Sequence, residues 1–206
     1  MKIGIDINHV LRDVNSSFLR QYDKEYGIKK TFRAKKARKL IANLDVWHNK
    51  QYVPFDNNEA MNEFRFIDHA YEIYGTAGQQ QRNLSGQLLT WKYNLVVEKA
   101  TEPVELIAVS PDEDEIAAMS TLFFLAKGFR IGHVLIDTKK RIWDECDVII
   151  TANPKLIKKK PEGKIVVKIK REFNKNAQAD LEYESLSKLM NDQEFFDKLN
   201  TIKNHE

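Results

Sequence analysis

Short apolar runs alternate with amphipathic stretches along most of this chain. Ile3 and Ile5 bracket Gly4 in a run that stops on Asp6, and Val104 to Val109 forms a second that stops at Ser110. Ile131 to Ile136, Val148 to Ile150 and Ile165 to Ile169 form three more. Runs of this length, bounded by polar and turn residues, predict buried strands. Between them the apolar residues recur at helical spacing: Val14, Phe18, Leu19, Tyr22 and Tyr26 before Gly27, then Leu84, Leu88, Trp91 and Leu95, then Ile116, Met119, Leu122, Phe123 and Ala126 before Gly128. Strands alternating with helices predict an α/β protein with a parallel, Rossmann-like sheet flanked by helices.

One long stretch interrupts the alternation. Residues 28–75 hold a basic helix from Arg33 to Leu44, an aromatic connection through Trp47, Tyr52, Pro54 and Phe55, and a second helix from Asn57 or Asn58 that carries Met61, Phe64, Ile67, Ala70, Tyr71 and Tyr74. Large aromatics are most often core, so Trp47 and Phe55 read as the interior of this insertion. The division that follows is an α/β core of residues 1–27 and 76–180, a helical insertion of residues 28–75, and a C-terminal extension of residues 181–206. In the extension Leu181 and Tyr183 offer a short edge segment, and Leu186, Leu189 and Met190, then Phe195, Phe196 and Leu199, mark two short helices.

Composition narrows the class. A chain of 206 residues with 42% hydrophobic content can bury a proper core. The longest apolar stretch, Leu122 to Ala126, is far too short to cross a bilayer, so no membrane partner is expected, and Asp6 falls too early for a signal-peptide core. A lone Cys146 excludes an internal disulfide and a thiolate metal cluster, and it fits a reducing, cytoplasmic compartment. The net charge of +3 conceals two basic groups. Lys35, Lys36, Arg38 and Lys39 belong to the first; Lys155, Lys158, Lys159, Lys160, Lys164, Lys168, Lys170, Arg171 and Lys175 belong to the second. Such groups can hold phosphates or an acidic partner. Without interleaved aromatics in a nucleic-acid motif, a solvated face is the favoured reading and nucleic acid the less favoured partner.

The first strand ends where an open α/β sheet keeps its ligand site. The residues there, Asp6-Ile7-Asn8-His9-Val10-Leu11-Arg12-Asp13, resemble the first motif of the haloacid dehalogenase superfamily of phosphohydrolases, nearest to the small 5'(3')-deoxyribonucleotidases and their phage-encoded relatives. The resemblance implies that residues 28–75 are a small helical cap and that Asp6 stands at the position of a nucleophile that also ligates Mg²⁺. It implies an acid/base at position 8, a phosphate-binding hydroxyl at Ser110, a charge-neutralising lysine at Lys139 or Lys140, and two metal-binding acids after the fourth strand. Ser110-x-x-Glu113 with Pro111 is equally a helix capping box, and both readings can hold together.

Against that pattern the chain departs at the acids. Asn8 stands where the family carries Asp and has no proton to exchange near neutral pH. In Asp147-Val-Ile-Ile-Thr151-Ala152-Asn153-Pro154, the residues Thr151 and Ala152 replace both metal-binding acids. Mg²⁺ demands hard oxygen ligands in near-octahedral geometry, which this set supplies poorly. Asp144, Glu145 and Asp147 precede the strand and belong at its other end. The expectation is a catalytically degenerate member of the superfamily, without a cofactor, reused as a structural or interaction subunit of a phage particle or other large assembly, with protein partners or further copies of itself. The alternative is a Mg²⁺-dependent deoxyribonucleotidase using Asp6, Ser110 and Lys139 or Lys140, with His9 as a substitute acid. A third reading keeps phosphate or nucleotide binding without turnover.

Overall fold

The computed structural model describes residues 1–26, 58–95, 104–111 and 115–201. Six strands, β1 (Lys2–Asp6), β2 (Glu105–Pro111), β3 (His133–Asp137), β4 (Val148–Thr151), β5 (Ile165–Ile169) and β6 (Leu181–Tyr183), form one sheet in the order β3-β2-β1-β4-β5-β6. Every pairing is parallel. The described helices are α1 (Val14–Tyr26), α2 (Asn58–Asn62), α3 (Leu84–Asn94), α4 (Glu115–Gly128), α5 (Lys139–Glu145), α6 (Pro154–Lys158), α7 (Leu186–Met190) and α8 (Gln193–Thr201). The fold is α/β and Rossmann-like, as the alternation of runs and helices implies.

The strands are apolar throughout because both faces of the sheet are covered. Side chains alternate across a strand, so Leu106 and Ala108 face one core while Ile107 and Val109 face the other. Val148 and Ile150 against Ile149, and Ile165, Val167 and Ile169 against Val166, repeat the pattern. Each such Val, Leu or Ile side chain contributes roughly 1.5–3 kcal/mol when fully buried. A third cluster joins α1, through Val14, Phe18, Leu19 and Tyr22, to Phe64, Ile73, Tyr74 and Ala117. In the middle of β1, a Cβ on Gly4 would lie 2.9 Å from Cys146 Sγ and 3.3 Å from Val109 Cγ1, so the Cys146 and Val109 side chains pack over β1 only above a glycine. The Cys146 thiol is fully buried there, and burial pushes its pKa to about 12.

Several sequence expectations shift. The third strand begins at His133 rather than Ile131, because Ser110 and Pro111 of β2 pair with Ile136 and Asp137 and draw the register toward the C-terminal side. Pro111 is therefore the last residue of a strand, where its missing N–H costs little, and not the first of a helix; the described part of α4 runs from Glu115. The single helix expected from Asn58 to Tyr74 is α2 followed by two wide π turns, Glu63–Asp68 and Tyr71–Gly75. His69 N–H reaches Phe64 O and Thr76 N–H reaches Tyr71 O, one residue further than an α-helix allows. Leu181–Tyr183 is a full sixth strand paired to β5. The expected basic helix, Trp47, Phe55 and the group Lys35, Lys36, Arg38 and Lys39 lie outside the described residues.

Candidate functional site

The chain runs outward from β1 to β2 and β3, then returns to lay β4, β5 and β6 on the other side of β1. The direction of winding reverses between β1 and β4, and the crevice at the carboxyl ends of such a strand pair is where open α/β sheets bind ligands. Asp6 ends β1 and Thr151 ends β4.

The two side chains meet in this crevice. Thr151 Oγ1 donates to Asp6 Oδ2 at 2.5 Å, and the Asn8 amide N–H donates to Asp6 Oδ1 at 3.2 Å. Thr151 Oγ1 in turn accepts from Asn153 N–H at 2.9 Å. Asp6 is 1% exposed and Thr151 fully buried, so the carboxylate is held by fixed donors in a site closed to bulk water. Asn153 also caps α6, its Oδ1 accepting from the N–H groups of Lys155 and Leu156, while Pro154 occupies the first turn. The local sequence therefore ends β4, caps α6 and satisfies Asp6 within three residues.

After Asp6 the backbone turns tightly. Leu11 and Arg12 N–H both reach Ile7 O, and His9 N–H reaches Arg12 O. His9 adopts φ +64°, a left-handed conformation that suits glycine. The His9 ring is buried edge-on against Phe173 at 5.2 Å, and Arg171 Nη2 donates to its carbonyl at 2.6 Å. Burial, reinforced by Arg171, Arg65 and Arg12, lowers the imidazole pKa to about 3. The ring is neutral at physiological pH and cannot serve there as an imidazolium acid.

Asn8 is fixed from both sides. Arg12 Nε donates to Asn8 Oδ1 at 2.8 Å, and Asn8 Nδ2 lies 3.5 Å from Ser110 Oγ at the end of β2. Arg12 is fully buried, stacked 4.8 Å from the Tyr74 ring and 5.7 Å from the Phe124 ring, with a second bond to Tyr74 O. Ser110 is fully buried beside this group, so its hydroxyl belongs to the site; the capping reading turns on Glu113, which lies outside the described residues.

Of the two candidate lysines, Lys140 is exposed and Lys139 half-buried. Burial lowers the Lys139 pKa, and Lys155 and Lys159 lower it further. Those residues follow β4, whereas Lys139 follows β3, so these ammonium groups feel one another across the ends of β2 and β1. Ala152 stands in neither role: it is fully buried in the main apolar core, and its carbonyl accepts from Asn174 Nδ2. An acid at 152 would face that core rather than Asp6. Asp147 and Glu145 sit at the opposite end of the sheet, bound to Lys2 N–H and Lys2 Nζ.

This donor set does not fit a magnesium ion. Among the described residues no group of three or more His, Cys, Asp or Glu side chains converges, and one Asp6 oxygen is already engaged by a hydroxyl proton. Arg12, Asn153 and Asn174 are contributors that sequence reasoning passes over, and Arg171 enters it only as one of the second basic group. An arginine inside the apolar Val10-Leu11-Arg12 segment is the signal that could have marked the first.

The second basic group is dispersed by ion pairs. Lys160 pairs with Asp180, Lys164 with Asp147, Lys168 with Glu182, Lys170 with Glu184 and Lys175 with Glu172. A groove of about 440 Å³ at the ends of β5 and β6 is walled by several of these pairs, while Lys158 and Lys159 stay exposed. No helix among the described residues is long and apolar enough to cross a membrane.

No family model matches the chain, and no curated protein is significantly similar to it. A solved structure titled "Crystal Structure analysis of a Dehalogenase" aligns with 91% of this chain and 94% of its own at 12% identity, with a TM-score of 0.47. A likeness of this size says nothing about chemistry.

Proposed function

We propose that this chain is a catalytically degenerate protein of the haloacid dehalogenase type, reused as a structural or interaction subunit of a phage particle or another large assembly. The observation that carries the reading is the bond from Thr151 Oγ1 to Asp6 Oδ2. A nucleophilic carboxylate needs a lone pair free to attack and a cation beside it; here a threonine proton takes the place of the metal. Asn8 stands at the acid/base position without a transferable proton, and the neighbouring His9 is neutral. Support for an interaction role comes from the surface. Ile67 (59% exposed), Tyr71 (50%) and Met119 (70%) gather with Leu122 and Phe123 on α4 and the adjoining π turns, and Tyr71 and Phe123 lie 5.2 Å apart. Adjoining exposed apolar residues of this kind mark contact surfaces. Native mass measurement of the protein recovered from its source tests the reading: an oligomer or a defined complex is expected, and a strict monomer without partners would sink it.

The competing reading is a Mg²⁺-dependent deoxyribonucleotidase. It is favoured by the retention of Asp6 and Ser110 at the ends of neighbouring strands, with Lys139 following β3, the strand next to β2.

A further inference from the structure

The two edges of the sheet are unlike. β6 closes one side with three residues, Leu181–Tyr183, and its margin carries the ion pairs Lys168–Glu182 and Lys170–Glu184. Short, charged edges of this kind resist pairing with another chain. β3 closes the other side with five residues, His133–Asp137, and holds no Lys, Pro or Gly. Its backbone partner is β2 alone among the described residues, and no other backbone bond there reaches it. β4 and β5, flanked on both sides, are buried throughout, whereas the apolar run Val134, Leu135 and Ile136 is only half-buried.

The order of residues along β3 is complementary to itself. Turned antiparallel about Leu135, a second copy of the strand sets Leu135 against Leu135, Val134 against Ile136 and His133 against Asp137. Residues directly opposite in an antiparallel pair share a face, so this register places apolar contacts at the centre and a base against an acid at each end. Neighbouring groups extend the match. His133 Nδ1 lies 3.0 Å from Glu105 Oε1, and Arg141 Nε lies 3.3 Å from Asp137 Oδ2. Across the junction the order runs Glu105, His133, then the second copy's Asp137 and Arg141, alternating in sign with the imidazole protonated. All four side chains are between 31% and 66% exposed, so a second copy can reach them. A slip of one residue would set His133 against Ile136 or Thr138 and lose the match.

We propose that the chain forms a two-fold dimer by antiparallel pairing of β3 with the β3 of a second copy, which joins the two sheets into one. Its use in an assembly rests on the interaction-subunit reading; the pairing itself rests on the edge alone.

Sedimentation of the purified full chain over a concentration series tests it, with His133→Glu and Asp137→Lys alongside. His133→Glu alone faces Asp137 with a second carboxylate, and Asp137→Lys alone faces His133 with a second base, so each should weaken self-association about ten-fold. Mixed in equal amounts, the new carboxylate of one faces the new ammonium of the other while the second His133–Asp137 contact is native, and association should recover most of the loss. In wild type, hydrogen exchange at the amides of His133–Asp137 should slow as concentration rises. A wild type that stays monomeric at every concentration, which leaves the edge to a strand of another protein, overturns the proposal. So do single variants that associate as wild type does, or a mixture no tighter than its components. Exchange independent of concentration also overturns it, and decides alone if either variant fails to fold. A monomeric purified chain leaves open complexes with other proteins at the source, so the subunit reading stands or falls separately.

Discussion

Thr151 Oγ1 lies 2.5 Å from Asp6 Oδ2, joining the ends of β4 and β1 across the point where the sheet reverses its winding. The crevice between the two strand ends is closed at this point by one hydroxyl proton. The bond is charge-assisted and buried on both sides, which is the situation in which a single hydroxyl matters most.

Removing that hydroxyl without changing the shape isolates its contribution. Thr151→Val should lower stability by about 1.5–3 kcal/mol at pH 7, since the bond is made to a charged group. Thr151→Ser, which keeps the donor, should cost clearly less. Urea unfolding of the three proteins, together with the cycle through Asp6→Asn, measures the coupling. Additive effects of Asp6→Asn and Thr151→Val would show that the two residues do not interact.

His9 gives the fold a pH dependence of definite sign. Its pKa is about 3 in the folded chain and near the ordinary 6.5 in the unfolded one, so below 6.5 the unfolded state binds a proton that the folded state refuses. Stability should therefore fall as pH drops through the window from about 6.5 toward 3, by up to roughly 1.4 kcal/mol per pH unit. His9→Asn tolerates the left-handed backbone and carries no titrating ring. Between pH 6.5 and 5, above most carboxylate titrations, its stability should vary less with pH than that of the wild type. Parallel curves would show that the ring is not buried neutral.

Placing an acid at position 151 and at position 152 should give opposite results. Thr151→Asp sets a second carboxylate against Asp6 and should create a Mg²⁺-dependent rise in melting temperature, because a ligand at a hundred times its dissociation constant stabilises by about 2.7 kcal/mol. Ala152→Asp buries a carboxylate in the apolar core and should destabilise by several kcal/mol with no help from Mg²⁺. Wild type should melt at the same temperature with and without millimolar Mg²⁺. Thermal melts in Mg²⁺ and in chelator check all three, and a Mg²⁺ response in Ala152→Asp would contradict the orientation of that residue.

Much of this arrangement is legible in the sequence because short buried strands announce themselves. The runs ending at Asp6, Ser110 and Thr151 locate three strand ends, and parallel α/β topology brings strand ends together. What stays hidden depends on contacts between distant segments. Ala152 follows Thr151 directly, and no spacing rule says which of the two turns to the crevice and which to the core. The π turns leave Met61, Phe64 and Tyr74 at ordinary helical intervals while the backbone bonds lengthen by one residue. Ser110 and Pro111 have the letters of a helix cap, yet pairing with β3 holds them in a strand. The neutrality of His9 comes from burial and three arginines, two of them more than fifty residues away.

The most direct measurement is phosphate release from deoxynucleoside monophosphates by the purified chain in millimolar Mg²⁺, with Asp6→Asn alongside. Wild type and Asp6→Asn should be indistinguishable from each other and from buffer. Mg²⁺-dependent release by the wild type that disappears in Asp6→Asn would make Asp6 a working nucleophile and contradict the central claim.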